Sequence, residues 1–158
     1  MSGKQHSYKA TIEWTGNLGK GTESYKAFGR NHIARAQGKP DILCSSDPAF
    51  RGDAARWNPE DLLVASVSAC HKLWYLHLAA TNGMSVQAYV DEAEGVMVED
   101  AAKGGYFTSI TLRPRVTIRA SDDGALAETL HHQAHEKCFI ANSLNFPVEC
   151  EPVTVRAG

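Results

Sequence analysis

The stretch Asn58-Pro59-Glu60-Asp61-Leu62-Leu63-Val64-Ala65-Ser66-Val67-Ser68-Ala69-Cys70-His71 decides how this chain is read. Asn58 can accept hydrogen bonds from the orphan amides of a helix start, and proline suits the first helical position. Glu60 and Asp61 then lie against the positive end of the macrodipole. The spacing predicts a helix to about Thr81, where Asn82-Gly83 supplies a left-handed stop. Apolar residues occur on nearly every side of it: Leu62, Leu63, Val64, Val67, Ala69, Leu73, Trp74, Leu76 and Leu78. A surface helix keeps one polar face, so this one is expected to be enclosed by protein.

Upstream, Tyr8, Ala10, Ile12 and Trp14 alternate over Ser7 to Trp14 as in a strand, Gly16 to Gly21 reads as a turn, and Glu23 to Ala36 as a second strand region. Ile42-Leu43-Cys44 is a short apolar run, and the polar segment from Ser45 to Trp57 a loop of the length that in compact domains is functional or mobile. Downstream, Val86 to Val98 and Tyr106 to Ala120 form an expected long hairpin across Gly104-Gly105, with Pro114 pushing its strand to an edge or a bulge. Ser121-Asp122-Asp123 caps a second helix whose buried stripe is Leu126, Leu130 and Ala134, and Val148 to Arg156 offers a last strand. The expected fold class is α+β, strands wrapped around one or two buried helices, in a single domain over residues 1–158.

Composition narrows the function. The 158 residues carry 16 Lys+Arg against 18 Asp+Glu, a formal net charge of -2, which lacks the basic face that nucleic-acid binding requires. The most apolar stretch, Leu62 to Ala80, is broken by Ser66, Ser68, His71, Lys72 and His77 and is too polar to span a bilayer. The N-terminus, Met1-Ser-Gly-Lys-Gln-His-Ser7, carries no apolar leader, which predicts a cytoplasmic protein with four free thiols and no disulfide scaffold. There is no GxSxG elbow, no phosphate-cradling GxxxxGK[ST], no GxGxxG and no HExxH.

Four cysteines carry what chemistry remains. Cys44 and Cys150 read as small core hydrophobes. Cys70 lies mid-helix before His71, and Cys138 follows His135-Glu136-Lys137 near the end of the second helix. If those helices pack together their thiols can meet, and a buried thiol needs a nearby cation to react. The residues alone leave this redox pair beside two unrelated core thiols. A third reading is metal binding: His131, His135 and Cys138 share one helix face, with His132, His71 and His77 as further donors.

The Trp57 to His71 segment resembles the signature of the OsmC/Ohr family, the osmotically inducible and organic-hydroperoxide-resistance proteins: an Asn-Pro-Glu helix start followed, ten residues after the Glu, by a cysteine. Cys138-Phe139-Ile140-Ala141-Asn142-Ser143 is similar to the family's second cysteine box, with Phe139 where a proline commonly follows the cysteine. The resemblance implies antiparallel sheets from two subunits wrapped around long central helices in an intertwined homodimer. It implies a thiol peroxidase that reduces organic hydroperoxides, and hydrogen peroxide, without metal or organic cofactor. Cys70 would be the peroxidatic residue and Cys138 the resolving one, passing through a sulfenic acid to a disulfide that a dithiol reductant, such as a lipoylated protein, reopens. Glu60 matches the family's glutamate. The arginine paired with it is assigned to Arg51, because Phe50-Arg51 is similar to the family's loop arginine; Arg56, Arg30 and Arg35 are the other candidates. The alternative within the resemblance is a non-enzymatic or metal-binding OsmC-like protein using the His131/His135/Cys138 face.

Helix geometry adds a constraint. Residues ten apart in a straight helix are separated by about 15 Å along the axis and point about 80° apart. Glu60 and its arginine are therefore expected to reach Cys70 of a second subunit. Trp57, Trp74, Tyr75 and Phe139 suggest a pocket for an alkyl or aryl hydroperoxide, and His71 points about 100° away from Cys70.

Overall fold

A computed structural model describes residues 3–158, so Met1 and Ser2, part of the segment read above for a leader, lie outside the described residues. The chain forms two compact units, one ending at Leu62 and the other spanning Leu63–Gly158. No helix among the described residues is long and apolar enough to cross a membrane.

The first unit is a three-stranded antiparallel sheet of β1 (Thr11–Trp14), β2 (His32–Arg35) and β3 (Ile42–Cys44), in that order. The expected strand over Glu23 to Ala36 shrinks to its last third. Its earlier part is taken by turns, because the Arg30 guanidinium hydrogen-bonds the carbonyl oxygens of Phe28 and Tyr25 and stacks over both rings. The Ser45 to Trp57 loop is pinned at both ends. The Trp57 amide donates to the Leu43 carbonyl and the Ser45 amide to the Trp57 carbonyl, while the Ser45 hydroxyl accepts from the Asp53 amide. Between them Pro48–Phe50 makes one 3-10 turn, with the Asp47 carboxylate accepting from the Ala49 amide.

Helix α1 (Pro59–Thr81) starts and stops where the sequence predicts. Asn58 Oδ1 accepts from the Asp61 amide at 2.7 Å. At the other end Gly83 takes φ +73°, and the Met84 amide closes back on the Ala79 carbonyl at 2.9 Å.

The second unit holds two mixed sheets. The long hairpin forms but splits: β4 (Val86–Asp91) pairs antiparallel with β7 (Pro114–Ile118), and β5 (Glu94–Val98) with β6 (Tyr106–Leu112). The split falls at Pro114, which has no amide to donate. There the Arg113 amide donates instead to Asp91 Oδ1, and the Arg113 guanidinium bridges Glu94 and Glu151. The expected single last strand is likewise two, β8 (Val148–Cys150) parallel to β6 and β9 (Val153–Arg156) parallel to β7, separated at Glu151-Pro152.

Helix α2 (Gly124–Lys137) is capped by Asp123, whose carboxylate accepts from the Ala125 amide. Its buried stripe is Ala127, Leu130, His131 and Ala134, which puts Leu126 at the core's edge and a histidine inside it. Two apolar clusters result. One joins Tyr75, Leu78, Val116, Ile118, Leu130 and Ala134; the other joins Val67, Ile110 and Leu112 with Phe107, Phe146 and Val148 around them. The burial of α1 is incomplete. Val67, His71 and Tyr75 are buried, but Leu73 is 62 % exposed, on the stripe it shares with Ala69 and His77.

Candidate active site

Cys70 and Cys138 are held by α1 and by the end of α2. Cys138 is the C-cap residue of α2, its amide donating to the His135 carbonyl and its carbonyl accepting from the Asn142 amide. The chain then turns into the 3-10 segment Ala141–Ser143. The Cys138 thiol is buried, the Cys70 thiol partly exposed, and both are free. The structure makes them neighbours, close enough for Cys70 to act on the Cys138 thiol. Burial pushes the Cys138 thiol up to about 11 and contact with Cys70 acts the same way, while the Ala141 and Ile140 amides, aimed at the sulfur, favour the thiolate.

Aromatic side chains flank the thiol pair. Trp74, one turn after Cys70, meets Phe139, the neighbour of Cys138, edge to face with ring centroids 5.5 Å apart. Leu73, Trp74 and His77 line a shallow depression of about 210 Å³ on the same helix. Tyr75 does not join this wall. It is fully buried and stacks on His131 at 4.0 Å, so it belongs to the core.

Arg51 and Glu60 both lie in the first unit, and the structure does not pair them: among the described residues neither makes an ion pair. The other candidate arginines are engaged, Arg56 with Asp53, Arg35 with Glu13 and Asp41, and Arg30 with backbone carbonyls. Arg51 is exposed, its guanidinium 6.0 Å from the Tyr25 ring centre. Its backbone takes φ 66°, a left-handed conformation that a side chain rarely adopts, at the end of the 3-10 turn. Gly52 follows because nothing larger fits: a Cβ there would stand 1.6 Å from the Ser46 carbonyl oxygen. Strain of this kind persists only where the surroundings over-determine it, and it gathers at functional loops.

The His131/His135/Cys138 face does not assemble as a donor set. Cys138 turns to Cys70, and His131 turns inward, its Nδ1 3.1 Å from His71 Nε2 with the rings stacked nearly parallel. Cys150, expected to be an ordinary core thiol, stands 3.7 Å from the same His71 nitrogen. Burial holds His71 down at about 4, against the pull of Asp91, and His131 down at about 3; both rings are neutral at pH 7. Burial pushes the Cys150 thiol up to about 12. No spacing in the sequence marks this cluster, because its members come from α1, α2 and β8.

Cys70 on α1 and Cys138 at the end of α2 are thus two free, neighbouring thiols in an α+β framework. The sequence model of the family described as OsmC-like protein matches residues 52–152, so the chain belongs to the OsmC-like family. A solved OsmC-like protein of unknown function from Vibrio cholerae is 31% identical, with 94% of this chain and 100% of that one covered at a TM-score of 0.83. Two further structures share the fold. An organic hydroperoxide resistance protein OsmC from Legionella pneumophila is 18% identical, with coverage of 97% and 99% at a TM-score of 0.67. An organic hydroperoxide resistance protein of Bacillus subtilis is 22% identical, with coverage of 94% and 98% at a TM-score of 0.60. No curated protein matches the chain.

Proposed function

We propose that this protein is a cytoplasmic, homodimeric, peroxiredoxin-like thiol peroxidase that reduces organic hydroperoxides, and hydrogen peroxide, through a two-cysteine cycle. The observation that carries the reading is that the free thiols of Cys70 and Cys138 are neighbours in the fold. The Cys70 thiolate attacks the distal peroxide oxygen. The O–O bond breaks, the alkoxide leaves as an alcohol after taking a proton, and Cys70 becomes a sulfenic acid. Cys138 displaces its hydroxyl as water, forming the disulfide. A dithiol, such as a dihydrolipoyl group on a protein, reopens the bridge by exchange and is itself oxidised to its disulfide.

Arg51 supplies the cation for the Cys70 thiolate, and its freedom from any carboxylate among the described residues supports the choice. Glu60 orients it. The rise of about 15 Å along α1 from Glu60 to Cys70 assigns Arg51 and Glu60 to the Cys70 of the partner protomer, each chain contributing one OsmC-like domain to an intertwined dimer. Exposed apolar residues support such a partner, among them Leu73 on α1 and Ile12 and Leu43 on the first sheet. The Trp74–Phe139 pair gives an alkyl or aryl group an apolar wall beside the sulfur.

The test is hydroperoxide consumption with dihydrolipoamide as reductant. Wild-type protein turns over with the reductant, and without it loses two protein thiols per equivalent of peroxide. Cys70→Ser loses turnover entirely, whereas Cys138→Ser, treated with peroxide in the absence of the dithiol, retains one oxidation event and accumulates a sulfenic acid that dimedone traps. Turnover surviving in Cys70→Ser, or wild-type thiols that ignore hydroperoxide, overturns the assignment.

A further inference from the structure

We propose that His71, His131 and Cys150 form a transition-metal site of zinc type, separate from the Cys70–Cys138 thiol pair. Their donor atoms all lie within 4.8 Å of one another, the one such group of three among the described residues. Two of the three edges have close to the right size. With Zn–N bonds of about 2.05 Å and a Zn–S bond of about 2.3 Å, tetrahedral angles require an N–N edge of about 3.3 Å and an N–S edge of about 3.6 Å. The observed edges are 3.1 Å between His71 Nε2 and His131 Nδ1 and 3.7 Å between His71 Nε2 and Cys150 Sγ. Two imidazoles and one thiolate are also the donor types that a borderline-soft divalent ion prefers.

A second observation points the same way. A buried pair of histidines serving only the core normally has partners on its outer nitrogens, which decide the ring that carries the shared proton. Here His71 Nδ1 and His131 Nε2 are buried and have no hydrogen-bond partner. Nothing in the chain selects a tautomer across the 3.1 Å contact, so the ring protons can sit on the outer nitrogens and leave both inner lone pairs to an ion. A cation held by both inner nitrogens fixes the tautomer, with the protons on the two outer nitrogens, which have no acceptor in the chain.

The site has an entrance and an open position. A cleft of about 360 Å³, lined in part by Glu128, His132, His135 and Glu149, reaches His131 and Cys150. It admits the ion, and a water from it completes the coordination. Binding is an exchange without redox change: the ion takes the neutral lone pairs of the two imidazoles, the Cys150 S–H bond breaks as the metal–sulfur bond forms, and the proton leaves to solvent.

Cobalt(II), a spectroscopic stand-in for zinc, tests the proposal on the full-length, chelator-stripped protein. One equivalent is expected to give a thiolate-to-cobalt charge-transfer band that one equivalent of zinc abolishes. The band disappears in Cys150→Ser, weakens in affinity by more than about tenfold in His71→Gln, and persists in the Cys70→Ser/Cys138→Ser double variant. Absence of the band in wild type, or a band that survives Cys150→Ser and vanishes in the double variant, overturns the site. Should Cys150→Ser fail to fold, alkylation of Cys150 in wild-type protein decides: stoichiometric zinc slows it more than about tenfold, and an unchanged rate refutes binding. The peroxidase reading is untouched by either outcome, because it is read from peroxide-dependent loss of the thiols of residues 70 and 138 in metal-free protein.

Discussion

Oxidation of the thiol pair has a thermal consequence that can be worked from where the two cysteines lie in the chain. Residues 70 and 138 are joined through β4 to β7 and α2, so a bridge between them closes a loop of about 70 residues. Restricting the unfolded chain by a loop of that length is worth about 4 kcal/mol in the chain-entropy account. The thiols are already neighbours in the reduced fold, which limits the native rearrangement that would offset that gain. For a chain of this size each kcal/mol moves Tm by about 2–4 °C, which places the oxidised protein on the order of 10–15 °C above the reduced one. The assay is differential scanning calorimetry at one fixed protein concentration, comparing protein held in a phosphine reductant with protein treated with one equivalent of cumene hydroperoxide. Cys138→Ser should show no such rise, and Cys44→Ser should match wild type. If wild-type protein loses two thiols and Tm stays within about 2 °C, the bridge does not join α1 to α2 and the pairing argued above is wrong.

Stability should also fall in mild acid. His71 and His131 are held at about 4 and about 3, below the ordinary 6.5, so the unfolded chain binds protons that the folded chain refuses. Their contribution is complete above pH 6.5 and is lost as pH drops through 4 towards 3; urea midpoints measured between pH 7 and pH 4 should therefore decline, and the decline should flatten in His131→Gln. At Gly52, alanine forces a methyl group into the Ser46 carbonyl, so Gly52→Ala should cost about 1–3 kcal/mol in urea unfolding and lower kcat/KM for hydroperoxide by displacing Arg51. Unchanged kinetics in that variant would remove Arg51 from the mechanism.

Local chemistry was legible in the residues themselves. A helix start needs an acceptor side chain and a tolerant first position, and Asn58-Pro59 states both, so α1 begins and ends where expected. Asp123 marks α2 in the same way. Pro114 announced an irregular strand, but not that the hairpin would divide there into two sheets, because the division also needs Asp91 and Arg113, one from each arm. The Glu23 to Ala36 strand was overestimated for a related reason: Arg30 satisfies backbone carbonyls that a strand would have used in its ladder.

The site divides along the same line. The sequence by itself determined the Asn-Pro-Glu helix start, the two cysteine boxes and, through them, the OsmC-like family. Only the tertiary structure decided that Cys70 meets Cys138, that Tyr75 belongs to the core, and that His131 faces His71 and Cys150 instead of sharing a donor face with Cys138. Periodicity along one helix fixes which residues share a stripe, but not what stands opposite that stripe. The packing of α1, α2 and β8 chooses each side chain's partner, because burial leaves a thiol or an imidazole no water to turn to.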